Sequence, residues 1–323
     1  MDISIIIVNF KSWKALSELL DSIAYVKNNR FLSEVIVIDN HSDYGILSTF
    51  KTKYPKIIFK ENTGNNGFAN GCNLGAKISA GNFLFFLNPD TIIKEDAIFE
   101  LWQTAISNPN YGIVTCTQVD EYGNKYKENR FFPALHTLFG TFRFFNNYFN
   151  KNNLNSEFSL EKKIIFPNWA TGAVIFMSKE WYKKINGWNE KYWLYFEDVD
   201  ICRRITTAGG KVALIKSISI LHIHGGSSRI NIRTKALTKT EVLISQHVYF
   251  NSHFDGINLY LIQFLLLFSH FLEKSILAFF GLFFFFIPKL YVNVIIFKNL
   301  FIYYVSAIIN KTWISPRSTL YKK

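Results

Sequence analysis

The chain has 323 residues, so one large or two smaller domains with a sizeable core are expected. Its three cysteines (Cys72, Cys116 and Cys202) are scattered and odd in number, which argues against a disulfide framework and fits a reducing compartment. The formal net charge of +12 suits anionic lipid or small anionic ligands, and without an Arg/Lys-rich arm or zinc-finger spacing we expect no nucleic-acid partner.

The first half of the chain alternates between apolar strands and amphipathic helices. Runs of β-branched and aromatic residues predict strands at 3–8, 34–38, 56–60 and 83–87, and apolar residues at helical spacing predict a helix over 13–23. The N-terminus lacks a basic stretch and a small-residue cleavage site, so it is interpreted as a strand rather than a signal peptide. This alternation predicts a mainly parallel α/β sheet flanked by helices.

Several glycines follow the third strand. Gly67, Gly71 and Gly75 recur every four residues and predict a helix face of small side chains that can lie close to the sheet or to a ligand. They do not form the dinucleotide-binding fingerprint, whose glycines directly follow the first strand. Close packing explains them slightly better than ligand contact.

Asn88 and Asp90 follow the buried strand at 83–87. Ligands of open α/β sheets bind at the carboxyl ends of the strands, and amide and carboxylate oxygens there can hold a divalent cation. The alternative is an ordinary Asn-Pro-Asp turn.

His222 and His224 occupy alternate positions just before a Gly-Gly pair. In an extended strand their side chains point to the same face. One imidazole could complete a metal site begun by Asp90 or contact a phosphate. The alternative is a pair of histidines bonded to backbone groups at a strand end.

Three carboxylates lie within the aromatic segment 193–202, namely Glu197, Asp198 and Asp200. A carboxyl group in a semi-apolar pocket tends to have a raised pKa, which suits a general base near neutral pH. The alternative is a helix start, where the helix dipole favours acidic residues.

The middle of the chain contains strand candidates at 112–115, 163–166 and 174–177. Trp169 lies beside Thr171 and Gly172 just before the last of these. A tryptophan in such a setting is either a corner of the core, the commoner case, or a platform on which a sugar stacks.

From residue 257 to 309 the chain is dominated by Leu, Ile, Phe and Tyr, with scattered lysines. We interpret this block as helices that lie in a membrane interface while their lysines reach the headgroups, rather than as part of the catalytic core. A transmembrane hairpin and a soluble helical subdomain are the alternatives. The basic residues at 311, 317, 322 and 323 favour an anionic cytoplasmic leaflet.

Taken together, these segments resemble family-2 glycosyltransferases of the GT-A fold, most of all the rhamnosyltransferase-like branch of bacterial surface-polysaccharide synthesis. The resemblance covers about residues 3–228. It implies a glycosyltransferase domain over 1–245, with a donor half (1–105) and an acceptor half (106–245). It does not reach the apolar block, from which we expect a helical, membrane-associated region over 246–323. The matching segments are 4–10, 35–40, 65–69 with Asn73, 88–90, 169–173, 196–202 and 222–228.

The resemblance also implies roles for individual residues. Asp198, next to Glu197, matches the catalytic base, and Asp39 matches the residue that reads the base or ribose of the donor nucleotide. Further donor contacts are implied for Asn9, Asn65, Gly67, Asn73 and Asn88, and acceptor contacts for Trp169, Thr171 and Gly172.

The implied cofactor is a divalent cation, Mg²⁺ or Mn²⁺. Asp90 matches the metal-binding residue of an Asp-x-Asp motif, and His222 matches the histidine of a His…Ser-Ser motif, with His224 a near competitor. The first acidic position of the Asp-x-Asp motif is Asn88, which removes one anionic ligand and leaves the donor phosphates to complete the shell. The Asn-x-Ser-x-Asp spacing after Asp39 is shortened, so Asp43 receives no role.

The implied activity is inverting transfer of a sugar, with rhamnose a candidate, from a dTDP- or UDP-sugar to a hydroxyl of a glycan or lipid-linked acceptor. It would take place at the cytoplasmic face of the bacterial inner membrane, with the enzyme bound peripherally. Two alternatives are a nucleotidyltransferase that makes nucleotide sugars and a non-catalytic, membrane-associated carbohydrate-binding protein. The first lacks the expected Gly-rich basic loop after strand 3–8, and the second does not require Asp90 and Asp198.

Overall fold

The computed structural model describes residues 1–24, 30–42, 44–128, 130–134, 162–223 and 231–321. Within this part the chain forms two compact units. The first comprises Met1–Asn65, Gly71–Trp188 and Asp198–His224, and the second comprises Asn66–Asn70, Asn189–Glu197 and Gly225–Lys323.

The described strands are β1 (Ile3–Asn9), β2 (Ser33–Asp39), β3 (Ile58–Glu61), β4 (Phe83–Leu87), β5 (Thr91–Ile92), β6 (Tyr111–Val119), β7 (Ile164–Ile165), β8 (Val174–Ser178) and β9 (Lys211–His222). The described helices are α1 (Trp13–Ala24), α2 (Tyr44–Lys53), α3 (Phe68–Ile78), α4 (Glu95–Ser107), α5 (Lys179–Lys184), α6 (Glu197–Thr207), α7 (Ile232–His253), α8 (Gly256–Phe283) and α9 (Pro288–Ile309).

The strands form one sheet in the order β3-β2-β1-β4-β8-β6-β9-β5, with β7 also paired to β9. The pairs among β3, β2, β1 and β4 are parallel, as is the pair of β6 and β9. β8 runs antiparallel between β4 and β6. The expected mainly parallel α/β fold with an apolar helical C-terminal region is thus confirmed, and the antiparallel strand in the middle of the sheet is an addition.

The core of the first unit lies on both faces of this sheet. Every residue of β1 is buried, as the uninterrupted apolar run predicts. On α3, a side chain added at Gly71 would place its Cβ 2.7 Å from Cγ1 of Val8, and one at Gly75 would place it 2.4 Å from Cγ2 of Ile6. Close packing therefore explains the small-residue face of this helix.

The second unit is mainly helical. α8 and α9 are the two helices of the described chain that are long and apolar enough to cross a membrane, by length and composition. Many of their large apolar side chains are exposed, among them Phe264, Phe283 and Ile309. The boundary expected at 245/246 falls inside the continuous helix α7, and the division into domains stays a prediction.

The residues after α9 pack back on other parts of the second unit. Arg317 Nη1 donates to Oε1 of Glu241 at 3.1 Å, and its guanidinium lies over the ring of Trp193. The hydroxyls of Ser318 and Thr319 donate to the backbone and side-chain oxygens of Glu190, at 2.6 and 3.0 Å. Part of the block that was expected to attach to a membrane therefore also packs within the second unit.

Candidate active site

Asp90 and His222 are brought together by the pairing of β5 with β9. Thr91 pairs with His222 across these antiparallel strands, and the amide of Ile223 donates to the carbonyl oxygen of Asp90 at 2.9 Å. Nε2 of His222 consequently lies 3.3 Å from Oδ1 of Asp90. The histidine side chain is almost fully buried, while the carboxylate remains open to solvent over 16% of its surface. The structure therefore places these two predicted residues side by side.

Gln118, at the end of β6, holds the other nitrogen of His222. Its Oε1 lies 2.9 Å from Nδ1 of the histidine, and its Nε2 donates to Oγ1 of Thr171 at 2.8 Å. Because an amide oxygen only accepts, Nδ1 carries the proton in this arrangement and Nε2 is directed at Asp90. Gln118 therefore links the predicted metal ligands to a predicted acceptor residue.

The Asp90–His222 pair fits a shared divalent cation. Two ligands about 2.1 Å from one cation and at right angles are about 3 Å apart, close to the observed separation. Within the described residues no group of three or more His, Cys, Asp or Glu side chains gathers around one point. A cation held by this pair would need further ligands, such as phosphate oxygens. His224, the competing ligand, lies outside the described residues, as does Asp43.

Asp198 occupies the first turn of α6. Its Oδ2 accepts the amide of Gly172 at 3.1 Å and its Oδ1 accepts its neighbour's amide, that of Val199, at 2.9 Å. Burial raises the pKa of the Asp198 carboxyl, and these hydrogen bonds and the positive charge of Arg130 offset part of the rise. Glu197, the buried first residue of α6, thus fits the helix-start interpretation. That interpretation does not conflict with a raised pKa of the carboxyl group of Asp198, the next residue.

Arg130 and Trp169 form a stacked pair beside this carboxylate. The guanidinium carbon lies 4.5 Å from the centre of the indole ring, and Nε1 of Trp169 donates to the carbonyl of Phe131 at 3.0 Å. Burial lowers the pKa of Arg130, while the charge of Asp198 raises it in part. One face of the tryptophan is therefore covered by a cation, which limits a stacked sugar to the rest of the ring.

A small pocket of about 20 Å³ opens beside these groups. Its lining includes Gln118, Glu128, Arg130, Trp169 and Thr171. The first three were missed by sequence reasoning, because their part of the chain carries no periodic pattern and no recognisable motif. Two sets of contacts link the candidate residues of the first unit. One runs from Asp90 through His222 and Gln118 to Thr171, and the other is the hydrogen bond between Gly172 and Asp198, the candidate base.

The residues predicted to bind the donor nucleotide lie at the carboxyl ends of neighbouring strands. Asn9 ends β1 and donates from Nδ2 to Oδ1 of Asp39, the last residue of β2, at 2.9 Å. Asp39 is buried and also accepts the amide and the hydroxyl of Ser42. Asn88 follows β4 at the same edge, with its amide bonded to the carbonyl of Ala173 at 3.0 Å. This is the edge at which α/β sheets bind ligands.

The other residues predicted to bind the donor sugar nucleotide have contacts or positions that the fold alone explains. Oδ1 of Asn73 accepts the hydroxyl of Tyr182 and the amide of Trp188, and its Nδ2 donates to the carbonyl of Trp188, so this amide is already committed within the first unit. Gly67 has a φ of +91°, and an added Cβ would lie 2.2 Å from the carbonyl oxygen of Trp193. Asn65 is partly buried in the loop before α3. Their roles in donor binding stay predictions.

Comparison with known proteins identifies the family. Residues 4–176 match the description "Glycosyl transferase family 2". The chain belongs to that family. Residues 158–224 also match "N-terminal domain of galactosyltransferase". The match at 4–176 contains the strand ends with Asn9, Asp39 and Asp90, and that at 158–224 contains Asp198 and His222.

Individual relatives of this family-2 glycosyltransferase are distant. It is 25% identical to a low-salt glycan biosynthesis hexosyltransferase of Haloferax volcanii, over 68% of this chain and 67% of that one. It is 24% identical to the N-acetylglucosaminyl-diphospho-decaprenol L-rhamnosyltransferase of Mycobacterium tuberculosis, over 58% and 66% of the two chains. It is also 24% identical to the rhamnosyltransferase WbbL of Escherichia coli, over 44% and 52%. The family-2 chain thus spans between about half and two thirds of the length of these relatives.

Solved structures support the GT-A-type fold of this glycosyltransferase. GalNAc-T7, solved with UDP, GalNAc and Mn²⁺, superposes with a TM-score of 0.54 at 14% identity, over 69% of this chain and 43% of that one. TarS of Staphylococcus aureus superposes with a TM-score of 0.52 at 14% identity, over 77% and 40%.

Proposed function

We propose that this enzyme transfers a sugar, with inversion, from a nucleoside diphosphate sugar to a hydroxyl group of a glycan or lipid-linked glycan in the synthesis of a cell-surface polysaccharide. The observation that carries the proposal is the hydrogen-bonded series from Asp90 through His222 and Gln118 to Thr171, next to the bond between Gly172 and Asp198. This arrangement would let one compact unit bind the diphosphate, bind the acceptor and take up the proton of the attacking hydroxyl. Rhamnose is a candidate sugar because two of the relatives are rhamnosyltransferases.

On the donor side, Asp90 and His222 would hold a divalent cation, Mg²⁺ or Mn²⁺. When bound, such a cation neutralises the charge that develops on the leaving diphosphate. Gln118 keeps the proton of His222 on Nδ1, so that Nε2 faces the cation site. Asn9 and Asp39 would bind the nucleoside of a dTDP- or UDP-sugar at the strand ends, with Asn65, Gly67, Asn73 and Asn88 shaping the same pocket.

On the acceptor side, Asp198 would take the proton of the attacking hydroxyl. Its raised pKa makes it a stronger base than an exposed carboxylate, while backbone amides and the charge of Arg130 offset part of the rise. Glu197 begins the same helix but lies on a different side of it, since neighbouring helical residues are about 100° apart. Trp169, Thr171 and Gly172 would contact the acceptor beside Arg130.

The site of action would be the cytoplasmic face of a bacterial cell membrane, with the enzyme bound peripherally. The exposed apolar side chains of α8 and α9 and the formal charge of +12 support attachment to anionic lipid. Attachment of this kind would bring the active site close to lipid-linked acceptors.

The proposal is tested with purified full-length protein and a panel of dTDP- and UDP-sugars, with Mn²⁺, Mg²⁺ or excess chelator. Release of the nucleoside diphosphate and transfer to a lipid-linked acceptor are expected with one donor and a metal ion. The Asp198→Asn variant is the control for non-enzymatic hydrolysis. A nucleotidyltransferase would instead release pyrophosphate from a nucleoside triphosphate, and a carbohydrate-binding protein would bind the glycan without turnover; either result would refute the proposal.

A further inference from the structure

The turn between α8 and α9 is the most apolar exposed part of the described chain. Its residues 284–287 are Phe-Phe-Phe-Ile, directly after Phe283. Phe283, Phe285 and Phe286 each expose about two thirds of their surface (65%, 67% and 68%). Contact of so many apolar side chains with water is unfavourable, and the turns of water-soluble hairpins are usually polar.

Several backbone amides at this turn are paired within the turn and the adjoining helix ends, although those of Phe285 and Phe286 have no such partner in the described chain. The amides of Phe284 and Ile287 donate to the carbonyls of Phe280 and Phe284, both at 2.9 Å, and those of Leu290 and Tyr291 donate to the carbonyl of Ile287. At Gly281 an added Cβ would lie 2.6 Å from the carbonyl oxygen of Leu290, so the two helices touch directly below the turn. Internal pairing of this kind is what hydrocarbon requires of a polypeptide backbone.

Lys274 and Lys298 lie at matching heights in the hairpin, while Lys289 lies next to the turn. Residues 275–288 contain no charged side chain. Lys274 precedes Phe283 by nine residues and Lys298 follows Pro288 by ten, so at 1.5 Å per residue both lysines lie about 14–15 Å from the turn. That distance equals about half of a hydrocarbon core roughly 30 Å thick.

Two ways of inserting the hairpin bury different numbers of charges. Crossing the bilayer would place Glu273, Lys274 and Lys298 in the hydrocarbon and the phenylalanines of the turn at the far aqueous surface. Entering one leaflet places those three residues at the headgroups and the phenylalanines among the acyl chains, and it buries Lys289 alone. Because each charged side chain inside a bilayer is costly, the arrangement that buries one charge is favoured over the one that buries three.

We propose that the α8–α9 hairpin enters a single leaflet, turn first, and that Phe283 to Phe286 insert among the acyl chains while Lys298 contacts anionic headgroups and the ion pair of Lys274 with Glu273 lies at the same level. This proposal rests on the membrane attachment in the proposed function and deepens it. The hairpin is then an anchor of defined depth, neither a transmembrane pair nor a pair of helices lying flat.

The depth is measured on full-length protein with a fluorophore attached to Phe285→Cys, bound to vesicles of phosphatidylethanolamine and phosphatidylglycerol. Cys72, Cys116 and Cys202 are buried, which favours labelling at the new site. We expect quenching by a spin label in the middle of the acyl chain, and protection from dithionite added outside or trapped inside. Bleaching by trapped dithionite would show a crossing hairpin, and bleaching from outside would show a surface turn; either outcome overturns the proposal. Asn310→Cys, at the other end of the hairpin, should be bleached from outside.

A matched pair of variants tests which end carries the affinity. Phe285→Ser with Phe286→Ser should weaken partition onto the vesicles by at least about 100-fold, since two exposed aromatic side chains leave the hydrocarbon. Ile308→Ser with Ile309→Ser, equally exposed at 68% and 71% but at the other end, should weaken it less than about threefold. Equal losses would show flat binding and refute the proposal. Donor hydrolysis of the same samples in solution separates this result from failure of the proposed function.

Discussion

Replacing Asp198 with asparagine removes the proposed base with the smallest change in shape. Both carboxylate oxygens accept backbone amides, from Gly172 and Val199, and asparagine can present only one oxygen. One amide is left facing an NH₂ group, which costs about 1–3 kcal/mol of folding free energy. Since burial of the charged carboxylate opposes folding at neutral pH, its removal offsets part of that cost and the variant should remain folded.

The catalytic effect should be larger than the effect on stability. Loss of a general base lowers kcat by about 10²–10⁴, or about 2.7–5.5 kcal/mol of activation free energy. Burial raises the pKa of Asp198, so the wild-type kcat/KM should increase with pH while the carboxyl deprotonates and then level off. The residual activity of Asp198→Asn should lack this acidic limb.

The assay is the pH profile of sugar transfer, with thermal unfolding measured on the same samples. Asp200→Asn is the matched control, because Asp200 is also buried but accepts a hydrogen bond from Nε of Arg204 at 2.7 Å and serves structure. It should lower Tm and keep the acidic limb. If Asp198→Asn retains wild-type turnover, or if both variants keep the limb, the base is another group and the reasoning from burial fails; Glu197→Gln is then the next variant to measure.

Three further predictions follow from single contacts. Asp90→Ala should abolish Mn²⁺-assisted binding of the donor in calorimetry, and full wild-type activity in excess chelator would contradict a cation site at Asp90 and His222. Gln118→Leu removes the acceptor of the Nδ1 proton of His222. The affinity for Mn²⁺ should therefore fall about 10–100-fold, and the ¹⁵N spectrum of the metal-free enzyme should show a changed His222 tautomer. An unchanged tautomer would contradict this role of Gln118. Gly67→Ala should destabilise the protein more than Gly123→Ala, because both glycines have positive φ (+91° and +81°) but only Gly67 has backbone atoms where a Cβ would lie; equal Tm losses would show that this contact is unimportant.

Much of the sheet could be predicted from the sequence because buried parallel strands leave long apolar runs. The strands expected at 3–8 and 34–38 correspond to β1 and β2, and the strand expected at 83–87 is β4. Sequence order does not reveal spatial order, so the antiparallel position of β8 between β4 and β6 was not predicted. The first part of β9, from Lys211, was missed as well.

The candidate site could be predicted where a motif names its residues and not where the fold alone creates the contact. Asp90 and His222 were paired as hypothetical ligands, but β5, which brings them together, has two residues and no sequence signal of its own. Gln118 and Arg130 gave no signal because hydrogen bonding to a distant histidine and stacking on a distant indole leave no local pattern. Polar residues that act on other side chains are therefore found only when the fold is known.

The contact between Arg317 and Glu241 determines how a detergent-free form of this enzyme should be engineered. The carboxylate is fully buried and burial raises its pKa, while Arg317 offsets part of that rise. A chain that stops before the hairpin would leave Glu241 without its counter-charge, at a cost near the lower end of about 3–5 kcal/mol because Arg317 is partly exposed. An internal deletion of the hairpin that joins α7 to residues 312–321 by a flexible linker would keep this pair, and a C-terminal fusion partner would need a spacer after Tyr321.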